Sequence, residues 1–420
     1  MSAESLASPP PTLMPLPPIY KDLQYRRLWT VGMLVGLTRW AEILVYAVFT
    51  YELTQSAFWV ASLMMLRMLP LALLGMWLGV LAARLPRRWL LLVSYGAMFA
   101  THLTLLLVSV FGQVQVWHLA LASAMHGVLW ASDLPIRRGM MGDLAGPKRV
   151  AQAMSLDALA ASACRLIGPG LGGLLLAQVG LTGFFVFSTL SYLPMLVGLY
   201  RLTEPGPVLS PVKRSIGALF MGGFAAARQS PVLRATLWLT MLFNLFAWPV
   251  LSMVPVIGQE RLQLDPQGVG LLASLDGVGA VLGALLLSSA HRFRHGVIYL
   301  VGLLSFMVFQ MVLALSGFWL LTALALVVMG LGQTAFAIMQ STLAYTASPP
   351  GRQAEAMGLM TMCIGVSPLG FLGVGALAQW LGAPTATLVC GVCGLLGVAL
   401  TWPVCRACLR TSPTPSPGAG

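Results

Sequence analysis

The chain has 420 residues, of which 58% are hydrophobic and 9% charged, with a mean hydropathy of +0.85 and a formal net charge of +12. A soluble domain carries about 25% charged residues, so this composition excludes a soluble globular protein and assigns the chain to lipid. The positive excess would suit nucleic acid if it were gathered on one solvated face. Its placement along the chain points instead to anionic lipid headgroups.

Residues 1–27 read as a disordered cytoplasmic tail; 1–19 are rich in Pro and Ser and lack the apolar core of a signal peptide. A spanning helix needs about 20 apolar residues. Such stretches lie near 28–50, 57–82, 89–111, 116–134, 152–178 and 181–200. A polar linker occupies 201–233, and six more spans follow near 234–257, 268–290, 297–315, 319–345, 354–380 and 384–404. Residues 405–420 form a second cytoplasmic tail. With the N-terminus inside, 20 of the 24 Lys and Arg fall in inner segments and only Arg261 falls in an outer loop. This positive-inside bias supports both the count of twelve and the orientation. The expected fold is an all-α membrane protein with both ends cytoplasmic.

The two sets of six spans are an internal repeat. Residues 147–156 read PKRVAQAMSL and residues 350–359 read PGRQAEAMGL, which share P-x-R-x-A-[QE]-A-M-[SG]-L at an offset of 203. Cys164–Pro169 and Cys363–Pro368 share a second, looser element. Two parallel six-helix halves are the architecture of a rocking transporter with its site between them, near the midplane.

Four stretches carry a resemblance to the major facilitator superfamily over residues 28–404, and most of all to its enterobactin-exporter-like and macrolide-efflux-like branch. They are YELTQSA at 51–57; GVLAARLPRR at 79–88, the loop between spans two and three; RLIGPGLGG at 165–173, in the fifth span; and PVLR, FNLF and GVGLL at 231, 243 and 268. The resemblance implies the twelve-helix fold and a cytoplasmic gate motif on Gly79, Arg84, Arg87 and Arg88, with Arg149 and Arg352 in the repeated loops. The gate motif departs from the superfamily pattern: its aspartate is Ala83 and its glycine is Pro86. The helix-five motif places Gly168, Pro169, Gly172 and Gly173 at a close-packed, bendable interface.

An ionisable group inside a bilayer is a functional candidate by default. Arg39, Glu42 and Arg67 lie at similar depth on the first two spans, which predicts one cluster: a proton-linked carboxylate with substrate-binding charges, or a static salt bridge. Asp276, the one acid well inside a span of the second half, and His126 on the fourth span are further proton-coupling candidates. Arg165, Asn244, Gln333 and Gln340 are candidate cavity residues, or polar glue between helices. His102 is expected to be peripheral. Asp133, Asp143 and Asp157 are expected to make ionic contacts between the halves together with Arg137, Arg138 and Arg149.

Two CxxC pairs, at Cys390 and Cys405, lie about 22 Å apart on a helix and cannot share one metal; no metal or other cofactor is assigned. No GxxxxGK[ST] phosphate loop occurs, so no nucleotide is expected as the energy source. The expected partners are the bilayer, a small-molecule substrate and a proton gradient. The leading reading is a secondary transporter, not an enzyme, in the cell (inner or plasma) membrane. It would export a drug-like or siderophore-like molecule, and the midplane arginines favour anionic or neutral compounds. An importer or facilitator on the same fold, and a transport-inactive receptor, stay open.

Overall fold

The computed structural model describes residues 19–146, 148–203, 216–288, 294–349 and 351–410. Pro147 and Pro350 of the repeated loops lie outside these residues. From Gly79 to Arg84 only the helical backbone is described, so the side chain of Arg84 lies outside as well.

The first half contains α1 (Leu23–Thr54), α2 (Ala57–Arg84), α3 (Arg87–Val110), α4 (Val116–Ala145) and α5 (Val150–Tyr200). Local chemistry sets the boundaries. The Asp22 carboxylate caps α1 by accepting from the Gln24 and Tyr25 amides at 2.9 and 3.1 Å. Gly146 ends α4 at a φ of 68°, a conformation that favours glycine. α5 runs unbroken through Pro169, but at Gly180 the backbone turns to φ 67° and ψ −174° and separates two helical segments.

The second half contains α6 (Ile216–Gln229), α7 (Pro231–Leu242), α8 (Val254–Glu260), α9 (Pro266–Ser288), α10 (His295–Leu315), α11 (Trp319–Thr346), α12 (Gln353–Ile364), α13 (Ser367–Leu381) and α14 (Ala383–Leu400). α6 falls inside the stretch read as a polar linker. Between α7 and α8 the helix widens to a π-turn over Phe243–Ala247 and tightens to 3-10 over Trp248–Met253. Pro249 and Pro255 lack the amide hydrogens that a regular helix would use there. Similarly, Pro368 stands at the start of α13, just past the break after α12. Among the described residues, eleven helical stretches, the one across Gly180 included, are long and apolar enough to cross a membrane, which makes the chain a multi-pass integral membrane protein.

α4 is longer than its apolar stretch, reaching Ala145 rather than residue 134. Its last turns carry Asp133, Arg137, Arg138 and Asp143, which find partners within the protein and therefore stay helical.

The halves meet along two seams, α5 on α9 and α2 on α13. The helix-five glycines explain the first. A Cβ on Gly172 would lie 2.6 Å from the Ala41 carbonyl of α1, and one on Gly173 would lie 2.4 Å from the Pro266 carbonyl of α9. α5 is thus wedged between the two helices, backbone against backbone, with Gly170 N–H donating to Ser274 Oγ at 2.9 Å. At the end where α1 turns into α2, three polar contacts also cross the halves: Tyr51 to Glu260, Gln259 Nε2 to Glu52 Oε1 at 3.3 Å, and Ser56 Oγ to Gln379 Oε1 at 2.6 Å.

Replacing Gly173 by Val forces the α9 backbone away and is expected to cost at least the 1–3 kcal/mol typical of overpacking, roughly estimated. Gly373→Ala, where nothing lies within 4 Å of the new Cβ, is expected to leave stability unchanged. Thermal unfolding of the two variants in detergent checks the contrast.

Candidate functional site

Between the halves lies a small cavity of about 80 Å³, partly open to solvent. Its walls are mainly aromatic and aliphatic, including Trp40, Trp130, Trp248 and Phe371, and its charged groups are Arg165 and Asp276. An apolar pocket with a few convergent polar groups is the usual form of a small-molecule site.

Arg165 on α5 donates through Nε to Asp276 Oδ2 on α9 at 2.7 Å, and its guanidinium also donates to Gln333 Oε1 on α11. The same guanidinium lies 5.6 Å from the Trp40 ring centre. One arginine of the first half thus holds a carboxylate and an amide of the second. Asp276, which the sequence presents as a lone acid, is paired. Its second oxygen, Oδ1, is buried and has no hydrogen-bond partner in the protein.

The expected cluster of Arg39, Glu42 and Arg67 does not form as such. Arg39 turns to Asp133 on α4, at 3.6 Å, with its guanidinium 4.8 Å from the Trp130 ring centre. Glu42 turns the other way, into a sealed space between α1, α3 and α4, where Oε1 lies 2.7 Å from His102 Nε2 and Oε2 contacts His126 Nε2. Arg67 is fully buried, 6.0 Å from the Tyr46 ring centre, with neither terminal nitrogen hydrogen-bonded. Residues three apart on a helix share a face, but Arg39 and Glu42 meet different neighbours on it.

His102 is a correction: the residue expected at the periphery is completely buried and completes the Glu42 site. The signal was present in the sequence, an ionisable group in the middle of a span, but the third span was taken to face lipid. None of Glu42, His102 or His126 lines the cavity.

The acids expected to bridge the halves pair within the first half instead. Asp133 accepts from Tyr95 Oη at 2.6 Å and from Arg137 Nε at 3.2 Å. Asp157 accepts from Arg137 Nη1 and Arg138 Nε at 2.6 and 2.8 Å. Asp143 accepts from Arg87 Nη1 at 2.7 Å. Their helices lie side by side, so short ion pairs close locally before any can reach across. Of the other gate residues, Arg88 donates to the Tyr200 carbonyl, Arg149 Nε to the Ala145 carbonyl at 3.2 Å, and Arg352 Nε stands 3.9 Å from Glu355 Oε2.

Asn244 and Gln340 do not line this cavity. Gln340 Nε2 donates to Thr240 Oγ1 and Asn244 Nδ2 to the Thr240 carbonyl, both at 2.9 Å, and Tyr299 Oη joins at 3.0 Å from Thr240 Oγ1. This buried polar knot joins α7, α10 and α11 within the second half. Asn244 sits in the π-turn, where a side chain can take over a carbonyl left by the widened helix.

Comparison with known proteins agrees with this architecture. The chain is 26% identical over 302 residues to the enterobactin exporter EntS of Shigella flexneri, covering 70% of this chain and 72% of that one. It is 24% identical over 382 residues to an uncharacterised MFS-type transporter, YfiS, of Bacillus subtilis, covering 87% and 89%. A crystal structure of a mutant nucleoside transporter NupG shares the fold with a TM-score of 0.75 and 12% identity, covering 91% of this chain and all of that one. The profile of the transmembrane secretion effectors, the MFS_3 family, matches residues 14–411. With that match over nearly its whole length, the chain belongs to the MFS_3 family of transmembrane secretion effectors and is a major facilitator transporter.

Proposed function

We propose that this transporter crosses the membrane twelve times, has both ends in the cytoplasm, and exports a small organic molecule in exchange for protons. The observation that carries the reading is the Arg165–Asp276 pair, which joins the two halves in the wall of an aromatic cavity. The break at Gly180 supports twelve crossings. The 49-residue stretch around it would extend about 74 Å as one helix, more than twice the roughly 30 Å hydrocarbon core.

The free oxygen of Asp276 supplies the exchange. A substrate hydroxyl or amide donates to Oδ1, an acceptor of its oxygen chemistry takes a guanidinium hydrogen of Arg165, and the indole rings cover its apolar faces. A proton on Asp276 removes the acceptor and loosens the grip on Arg165, so proton and substrate compete for one carboxylate. Competition of this kind is what exchange requires. The chemistry favours neutral or weakly acidic aromatic compounds rich in hydroxyl groups, in line with the exporter named for a siderophore among the relatives.

Alternating access requires the contacts at the α1–α2 end, here the outer face, to open. The Tyr51, Glu52 and Ser56 contacts are hydrogen bonds rather than packed backbone, costing about 0.5–1.5 kcal/mol to break for the neutral Ser56–Gln379 pair and about 1.5–3 kcal/mol for each of the two that end on a carboxylate.

Efflux-deficient bacteria expressing the protein are expected to accumulate less of a hydroxylated aromatic compound, drawn from antibiotics, dyes and catecholates, and a protonophore should abolish the difference. Higher accumulation would establish import; a difference indifferent to the protonophore would rule out proton exchange.

Asp276→Asn removes a charge-assisted bond worth about 1.5–3 kcal/mol, so substrate affinity should fall roughly ten- to hundredfold. Proton release on substrate addition should vanish in the same variant. Proton release equal to wild type would place coupling elsewhere.

Cysteines at Ser56 and Gln379, in a Cys393→Ser background, are expected to crosslink and stop transport until a reductant is added. Transport that continues through the crosslink would refute opening at that end.

A further inference from the structure

Glu42, His102 and His126 come from three helices and have exposures of 0, 0 and 4%. Their potential ligand atoms all lie within 4.8 Å of one another. Hydrogen-bond direction defines the state of both rings. His102 Nδ1 lies 2.8 Å from the Met98 carbonyl, and His126 Nδ1 lies 2.8 Å from the Ala122 carbonyl. A carbonyl oxygen can only accept, so Nδ1 carries the hydrogen on each ring. Each Nε2 then carries the lone pair; that of His126 has no hydrogen-bond partner, and that of His102 also lies 3.4 Å from the Tyr46 hydroxyl. Metal-binding histidines are held in this way, with the second ring nitrogen donating to a backbone carbonyl or carboxylate.

Both lone pairs face one carboxylate, His102 towards Oε1 and His126 towards Oε2. Lone pair against lone pair repels, so positive charge has to sit between the two rings and the carboxylate. Two protons or one divalent metal ion would serve. The two fillings carry the same charge, and the buried Arg67 nearby therefore opposes them equally.

Geometry separates them. Two imidazoles and one carboxylate, each offering one ligand atom from a separate helix, form a nitrogen-and-oxygen donor set that zinc takes. Zinc distances of about 2.0–2.2 Å require both imidazoles to draw back from Glu42 to admit the ion. The position is sealed from the cavity, as a structural ion's would be and a transported one's would not.

We propose that Glu42, His102 and His126 bind one divalent ion of the zinc class in a closed site that ties α1, α3 and α4 together. The site is independent of the exchange assigned to Asp276, and a failure of either leaves the other standing.

The test uses full-length protein purified through a tag without histidine and incubated with zinc, then desalted. Elemental analysis is expected to find one zinc per chain, and His102→Gln with His126→Gln is expected to lose it. Since the double variant can fail to fold, X-ray absorption on the wild type provides a second reading: two imidazole nitrogens and carboxylate oxygen around zinc. Cobalt in its place should show the visible spectrum of a tetrahedral ion. Wild-type protein that retains neither zinc nor cobalt would assign the space to two protons and overturn the proposal, as would zinc bound by other ligands.

Discussion

A charge inside a bilayer has to find its partner inside the protein, because lipid offers none. Arg67 apart, the paired charged groups described in the spans fall into three settlements. Asp133 and Asp157 gather Arg39, Arg137 and Arg138 at one end of the first half. Glu42 is enclosed by two histidines. Asp276 alone takes its cation from the other half. The first two stiffen one half, and the third joins two bodies. A pair that joins two bodies is where a bound molecule can alter the energy of their arrangement.

Backbone packing makes that junction possible. Helices in lipid gain no hydrophobic energy from touching and rely on close van der Waals contact and hydrogen bonds. Gly172 and Gly173 let α5 lie against α1 and α9 at distances that no side chain would permit. Arg165, two turns away, is thereby carried to the boundary between the halves. The serine at 274 reaches back to the Gly170 amide, so the same seam satisfies a hydrogen bond next to Pro169, where the helix ladder lacks a donor.

Much of the architecture was legible because span length, loop charge and the repeated PxRxA[QE]AM segment each register in the sequence independently. The boundary near residue 180 was legible in the same way, and the structure places a left-handed glycine there. The inner end of α4 was not, since Asp133, Arg137 and Asp143 have the composition of a loop until their partners are known. Pairings were the least legible feature. Arg39 and Glu42 sit on one face of α1, yet one reaches Asp133 and the other His102. Which neighbour lies within reach depends on how α3 and α4 pack against α1, and periodicity carries no record of that. His102 shares that limit: the sequence gives no sign of which face of the third span looks inward.

Position relative to the junction separates the two sealed or half-sealed carboxylates. A group that exchanges partners during a rocking motion must touch the space whose access alternates, and it must be short of one bond so that a partner can arrive without another leaving. Asp276 meets both conditions, with Oδ1 unfilled beside the cavity. Glu42 fails the first: it lies away from the cavity, against His102 and His126, and all three contributing helices belong to one half. Two acids that look equivalent in a hydropathy profile thus acquire opposite roles, one suited to turnover and one to holding a body rigid.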